Sequence, residues 1–242
     1  MRYFKSALII GSSSAVAKSI CVKLAQTGCK KFHLVCRDLD SNLELLHILQ
    51  NVYKANVTQE KNDLIFNCYP EKYFKPKIDL YDLYVITAGT LGNPDLARTN
   101  ISEALKINYV NYLGLLPWLT EITKEKRFET FGSLWVFTSV ASDRGRPSNY
   151  HYGSAKAALS IFCEGLLLRC EKKPFSVRII KSGFISTRMA IGAPPFLCIS
   201  TNRVADYLMR NPQKRGFEYL PWWWGIIMFF IRSLPRKYAS KL

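Results

Sequence analysis

Acidic residues are scarce: 18 Asp and Glu stand against 34 Lys and Arg, leaving a formal charge of +16. An excess of this size points to an anionic neighbour, whether nucleic acid, an anionic lipid surface or a phosphorylated ligand. Closely spaced cysteine pairs are missing as well. Cys21, Cys29, Cys36, Cys68, Cys163, Cys170 and Cys198 are an odd number, scattered, with no CxxC. This spacing excludes a disulfide framework and a zinc ribbon; reduced, buried thiols are expected, and no metal site. No apolar run reaches the length of about 20 residues that a helical membrane span needs. The first run, Ala7 to Ile10 behind Arg2 and Lys5, ends at Gly11 and is too short for a signal-peptide core, so a cytosolic compartment is expected. Internal repeats, low-complexity stretches and Gly/Ser linkers are also missing, and with them any sign of a second domain.

What is present suits one sizeable core, for the chain has 242 residues, 48% hydrophobic and 21% charged. Ala7 to Ile10 reads as a strand and Gly11-Ser-Ser-Ser14 as a turn, while Val16, Ile20 and Leu24 recur at helical spacing. Gly28 stops that helix, and Phe32 to Cys36 reads as a second, parallel strand that completes a βαβ unit. Further strands are expected at Asp63 to Phe66, Leu83 to Thr87, Leu134 to Thr138 and Val177 to Ile180, separated by lengths that hold crossover helices. The fold class is therefore α/β. Residues 1–242 form one Rossmann-like, doubly wound parallel sheet with helices on both faces, and ligands are expected at the carboxyl ends of the strands.

The last stretch, 216–242, differs from the rest. Leu220 to Ile231 (LPWWWGIIMFFI) is uncharged and is followed by Arg232, Arg236, Lys237 and Lys241 with no acid. Twelve residues are too few to cross a bilayer. Two readings stay open, an interfacial contact with an anionic membrane and a helix packed on the sheet or in a dimer interface.

Gly11, Ser13, Ser14, Ala15 and Val16 surround the first strand-to-helix turn, where backbone N–H groups and a helix N-terminus converge on a phosphate. A GxxxGxG pattern survives here as Gly11, Ala15 and Ala17; the methyl groups leave room for a phosphate, although a position needing positive φ would be strained. Arg37, first after the second strand, favours a 2′-phosphate and hence NADP(H) over NAD(H), while Asp38 keeps NAD(H) open.

Tyr152 and Lys156 lie four residues apart on an expected helix, hence on one face, so that the ammonium can lower the phenol pKa. Tyr73 and Lys77 share this spacing but have Pro76 between them, and serve as an internal control. Ser139 closes the strand Leu134 to Thr138, where its hydroxyl can hold a substrate carbonyl that Tyr152 protonates.

Ser139, Tyr152 and Lys156 resemble, in order and spacing, the catalytic residues of the short-chain dehydrogenase/reductase family. Thr87-Ala88-Gly89 is similar to that family's Asn-Ala-Gly turn, and Asn108 to its asparagine that orders a proton-relay water, with Asn111 a possible competitor. By the same resemblance Asn67 takes the place of an adenine-contacting Asp, and Gly183, Ile185 and Thr187 fall in a PGxxxT-like segment that embraces the nicotinamide. Ala15, Ala17, Ser182 and Thr87 depart from the family pattern. Within the family, Tyr152 to Ala157, Ser186-Thr-Arg-Met189 and the stretches Ile231 to Arg236 and Ala239 to Lys241 resemble reductases of decaprenylphosphoryl 2-keto-ribose, which serve cell-wall arabinan synthesis. That resemblance implies a ketosugar carried on a polyprenyl phosphate, a flavin oxidase that supplies the ketone, a peripheral position at the inner face of the membrane, and a homo-oligomer. Two alternatives stay open: a reductase of a soluble or steroid-like ketone, and a non-catalytic dinucleotide-binding interaction protein on the same fold. Nucleic acid is not an expected partner, because the basic residues form no stripe with interleaved aromatics.

Overall fold

The computed structural model describes residues 3–69 and 72–239. Arg2, Ser240 and Lys241, and the side chains of Cys68, Tyr73 and Arg236, lie outside the described residues.

Seven strands hydrogen-bond side by side: β1 (Ser6–Ile10), β2 (Lys31–Cys36), β3 (Asn56–Lys61), β4 (Leu83–Ile86), β5 (Gly132–Ser139), β6 (Phe175–Ser182) and β7 (Gly216–Leu220). Their spatial order is β7-β6-β5-β4-β1-β2-β3 and every pairing is parallel. Parallel neighbours require crossovers. The main helices are α1 (Ala15–Gln26), α2 (Ile101–Asn111), α3 (Leu116–Ile122), α4 (Tyr150–Arg169), α5 (Thr201–Arg210) and α6 (Trp224–Ser233). The chain winds outward from β1 to β3 and then returns to β4 on the other side of β1. This reversal opens a crevice at the carboxyl ends of β1 and β4.

Side chains alternate across the sheet, and both faces are covered. Ala7 and Ile9 of β1 join Val16, Ala17, Ile20 and Leu24 of α1 and Val204 and Leu208 of α5 in one core. Leu8 and Ile10 join Trp118 and Leu119 of α3 and Leu159 and Cys163 of α4 in the other. Burial on both faces is why β1, β4 and β5 read as unbroken apolar runs.

Two expectations need correction. Asp63 to Phe66 is not a strand: Asp63 accepts a hydrogen bond from the Ile65 backbone N–H and caps a short helical turn, Leu64–Phe66. The third strand lies earlier, at Asn56–Lys61, where it forms the sheet edge and exposes polar side chains, so apolarity does not mark it. At the other edge, Gly216–Leu220 is strand β7 rather than tail. Its charged member Glu218 is buried against Arg178 of β6, with Lys214 and the Tyr207 hydroxyl on the other carboxylate oxygen. These partners hold the Glu218 carboxyl below its usual range despite burial.

Among the described side chains Cys21, Cys29, Cys36, Cys163 and Cys170 are buried free thiols. Burial pushes Cys29 and Cys163 up to about 12, so these two are unreactive at neutral pH.

Candidate active site

The first loop follows from Gly11. Its φ is +86°, and a Cβ there would come within 2.5 Å of the Ala88 backbone nitrogen, so only glycine fits. The turn is locked on both sides: Thr87 Oγ1 donates to the Gly11 carbonyl at 3.0 Å, and Ser14 Oγ donates to Thr87 Oγ1 at 3.1 Å. Ser14 also caps α1 by accepting from the Ala17 N–H at 3.0 Å. Thr87 thus spends its hydroxyl on bracing the loop. Ala15 lies within α1 and Ala17 is fully buried in the core beneath it; neither takes positive φ, so the alanines add no backbone strain. Ser13 and Ala15 are exposed, Val16 is buried, and the first turn of α1 holds no acid. The donor set therefore fits a pyrophosphate.

Below the loop, Ser12 and Asn42 are fully buried. Asn42 Nδ2 donates to Ser12 Oγ and to Cys36 Sγ, tying the loop to the end of β2. Just beyond, Arg37 and Asp38 are exposed. Asp38 Oδ1 accepts from the Asp40 backbone N–H at 3.2 Å, whereas the Arg37 guanidinium makes no ion pair among the described residues. Asn67 turns inward: it is buried, shares a reciprocal amide pair with Asn62 and donates to the Gly114 carbonyl at 2.8 Å. Its amide is spent within the fold. Asn62 instead bonds its backbone to Cys36 at the carboxyl edge, so Asp63 and Leu64 follow directly from that edge.

Ser139, Tyr152 and Lys156 come together at the carboxyl end of β5. Gly153 makes this possible. A Cβ on it would meet the Ala141 carbonyl at 2.9 Å, so the bare glycine lets α4 lie against the segment after Ser139. Ser139 Oγ accepts from the Ala141 N–H at 3.1 Å. Burial raises the Tyr152 phenol above its ordinary pKa, and a side-chain hydrogen bond with Ser139 opposes that rise. Lys156 is buried, its ammonium donating to the carbonyls of Phe137 at 3.1 Å and Ala88 at 3.4 Å. Desolvation lowers it to about 8. The control pair differs, for Lys72–Tyr73 is a short strand and offers no helical face.

The structure brings Asn111, not Asn108, to this cluster. Asn108 Nδ2 is spent on the Ala104 carbonyl one turn back in its own helix. Asn111 is fully buried, donates to the carbonyls of Thr90 (2.7 Å) and Ile107 (2.8 Å), and accepts from the Thr90 N–H. Its Oδ1 and Lys156 Nζ both lie within 3.1 Å of the point a Cβ of Gly89 would fill. With no Cβ at Gly89, the amide oxygen and the ammonium both close on this backbone, where a side chain would have wedged against them.

Opposite, Gly183, Ile185 and Thr187 follow β6. A Cβ on Gly183 would fall 1.8 Å from Trp224 Nε1, so the indole is seated against this glycine. That indole N–H is buried and without a hydrogen-bond partner. Ile185 is buried in a short strand paired with Cys198–Ile199, and Ser182 Oγ bonds the Thr138 carbonyl. Leu91, Pro94, Ile107, Pro147 and Asn149 line a small cleft beside Tyr152.

This arrangement defines the class. The pattern of the short chain dehydrogenases matches residues 5–195, and the chain belongs to that family. An uncharacterized oxidoreductase of Mycobacterium tuberculosis is 34% identical over 154 residues, a match covering 63% of this chain and 62% of that protein's length. An uncharacterized oxidoreductase of Streptomyces coelicolor is 23% identical over 245 residues, 98% of this chain and 96% of the other. Among solved structures, a 7beta-hydroxysteroid dehydrogenase superposes with a TM-score of 0.79 at 17% identity, over 96% of this chain and 93% of that one. An actinorhodin polyketide ketoreductase variant with NADPH gives a TM-score of 0.69 at 17% identity, over 85% and 89%. At such identities the superpositions speak for the fold alone.

Proposed function

We propose that the protein is an NAD(P)H-dependent reductase that transfers hydride to a ketone, with a 2-keto sugar carried on a polyprenyl phosphate as its substrate. The observation that carries the reductase reading is the junction of Ser139, Tyr152 and Lys156 at the carboxyl end of β5, beside a turn built for a pyrophosphate. The bound dinucleotide would supply the hydride. Gly11, Ser13, Ser14 and Ala15 would hold its pyrophosphate, Arg37 its 2′-phosphate, Ala88 and Gly89 its middle, and Gly183, Ile185 and Thr187 its nicotinamide end. Ser139 holds the substrate carbonyl, and Tyr152, kept protonated by its raised pKa, gives that oxygen its proton. Lys156, one turn along α4 from Tyr152, eases that release, and Asn111, whose amide oxygen lies beside Gly89 and Lys156, takes the relay role rather than Asn108.

The lipid-phosphate sugar accounts for the excess of cations and for the exposed apolar helix at the end of the chain. A flavin oxidase acting on the same carrier would supply the ketone.

Titration with NADPH and NADH, followed by nicotinamide fluorescence, tests the cofactor site. Arg37→Ala should weaken NADPH by about tenfold, the worth of one charge-assisted pair, and leave NADH unchanged. Failure of both dinucleotides to bind would replace the enzyme with an interaction protein on the same fold. Turnover of lipid-linked keto sugars against soluble ketones then decides the substrate.

A further inference from the structure

We propose that the outer face of α6, with the 188–197 loop beside it, seats this protein on an anionic lipid surface. Helix α6 is apolar on both faces. Its inner side chains Trp224 and Met228 are buried with Val140, Phe184 and Leu197. Its outward residues are no less apolar: Phe229 and Phe230 are 68% and 64% exposed, and Trp222 just before the helix is 68% exposed. Leu197 of the adjoining loop packs under the helix, and its neighbour Phe196 is 81% exposed. Outward apolar side chains on two segments packed together are the feature that marks an interaction surface.

Charge selects the occupant. From residue 183 to 242 there are two acids, Asp206 and Glu218, against nine Lys and Arg. Both acids are already paired, Asp206 with Lys23 and Glu218 with Arg178 and Lys214. Arg188, Arg232 and Lys237 are exposed around the patch. A second copy related by two-fold symmetry would set these cations against their own kind, a repulsion that anionic headgroups convert to attraction. Ten helical residues span about 15 Å, half a bilayer core, so α6 would lie in the interface plane. Among the described residues no helix is long and apolar enough to cross a membrane.

The seat is fastened to the active site. Arg144, five residues beyond Ser139, donates to the carbonyls of Arg232 at 2.8 Å and Leu234 at 3.0 Å, capping the end of α6. Tyr219 donates to Asp143 at 2.6 Å, and Trp224 rests on Gly183. A protein seated through α6 would therefore hold the substrate side of its crevice at the lipid surface. The inference goes beyond the reductase reading and does not depend on it.

Flotation of the full chain tests it, with vesicles of phosphatidylcholine alone and of phosphatidylcholine mixed with phosphatidylglycerol. The chain should rise with the mixed vesicles, less so in high salt, and stay behind with phosphatidylcholine. Phe229→Ser with Phe230→Ser should cut binding to mixed vesicles at least about tenfold, with melting and NADPH binding unchanged. Arg232→Glu should cut it by about fivefold, one headgroup attraction having become a repulsion. A wild-type chain that stays off mixed vesicles at low salt would overturn the seat, as would a dimer by light scattering that falls apart in the Phe229, Phe230 double variant. Loss of dinucleotide binding with flotation intact would sink the reductase reading and leave the seat standing.

Discussion

Around Lys156 the polar groups are buried and satisfied, whereas around α6 apolar groups are exposed and two buried polar atoms have no partner. Lys156 has two carbonyl acceptors, Asn111 three hydrogen bonds, and Ser139 a backbone donor. At the other region Trp224 Nε1 and Arg146 Nε are buried without partners, while Phe229 and Phe230 face outward. The first region is complete as folded, every polar group named there having its hydrogen-bond partner. The second leaves large apolar side chains on the surface, the feature on which the proposed lipid seat rests.

The largest effect is expected at Tyr152. Tyr152→Phe removes the acid without opening a cavity, so turnover should fall by about 10²–10⁴-fold while melting and dinucleotide binding stay as they are, which steady-state kinetics and a fluorescence titration would check. Next in size, Glu218→Ala leaves Arg178 charged and buried between β6 and α5. Chemical denaturation should then read a loss of about 3–5 kcal/mol.

A third prediction concerns pH. Burial pushes the Lys156 ammonium down to about 8. As pH rises through that value the ammonium loses its proton, and the positive charge one turn along α4 from Tyr152 is lost. Ketone reduction should therefore hold its rate below pH 8 and decline above it, toward about tenfold per pH unit. A profile flat to pH 10 would mean that Lys156 is not the controlling group. The smallest effect sharpens the comparison directly: Phe229→Ser should shift stability by less than about 0.5 kcal/mol. Ile20→Ala on the buried face of α1 should cost about 2–5 kcal/mol.

Much of the fold was legible. Strands buried on both faces announce themselves as apolar runs, and so β1, β2, β4, β5 and β6 fall where the sequence puts them. The two edge strands hid for opposite reasons, β3 because an edge exposes polar residues and β7 because its acid is buried in an ion pair. At the site, Ser139, Tyr152 and Lys156 were readable because spacing on a helix and position at a strand end are local properties. Asn108 and Asn111 are three residues apart on one helix, nearly the same face, and spacing cannot say which of them meets Lys156.

Residues close along the chain set the periodicities, and with them the parallel sheet, the tight turn at Gly11 and the Tyr152–Lys156 pair. Tertiary structure decided what depends on distant segments meeting. Among these are the bare Gly153 that lets α4 reach the Ser139 segment, the inward turn of Asn67 toward Gly114, and the choice of Asn111 at Gly89. It also decided which half of an all-apolar helix is buried. Periodicity carries no sign when both faces of α6 are hydrophobic, and only the packing of Trp224 and Met228 against Val140 and Phe184 leaves Phe229 and Phe230 facing out.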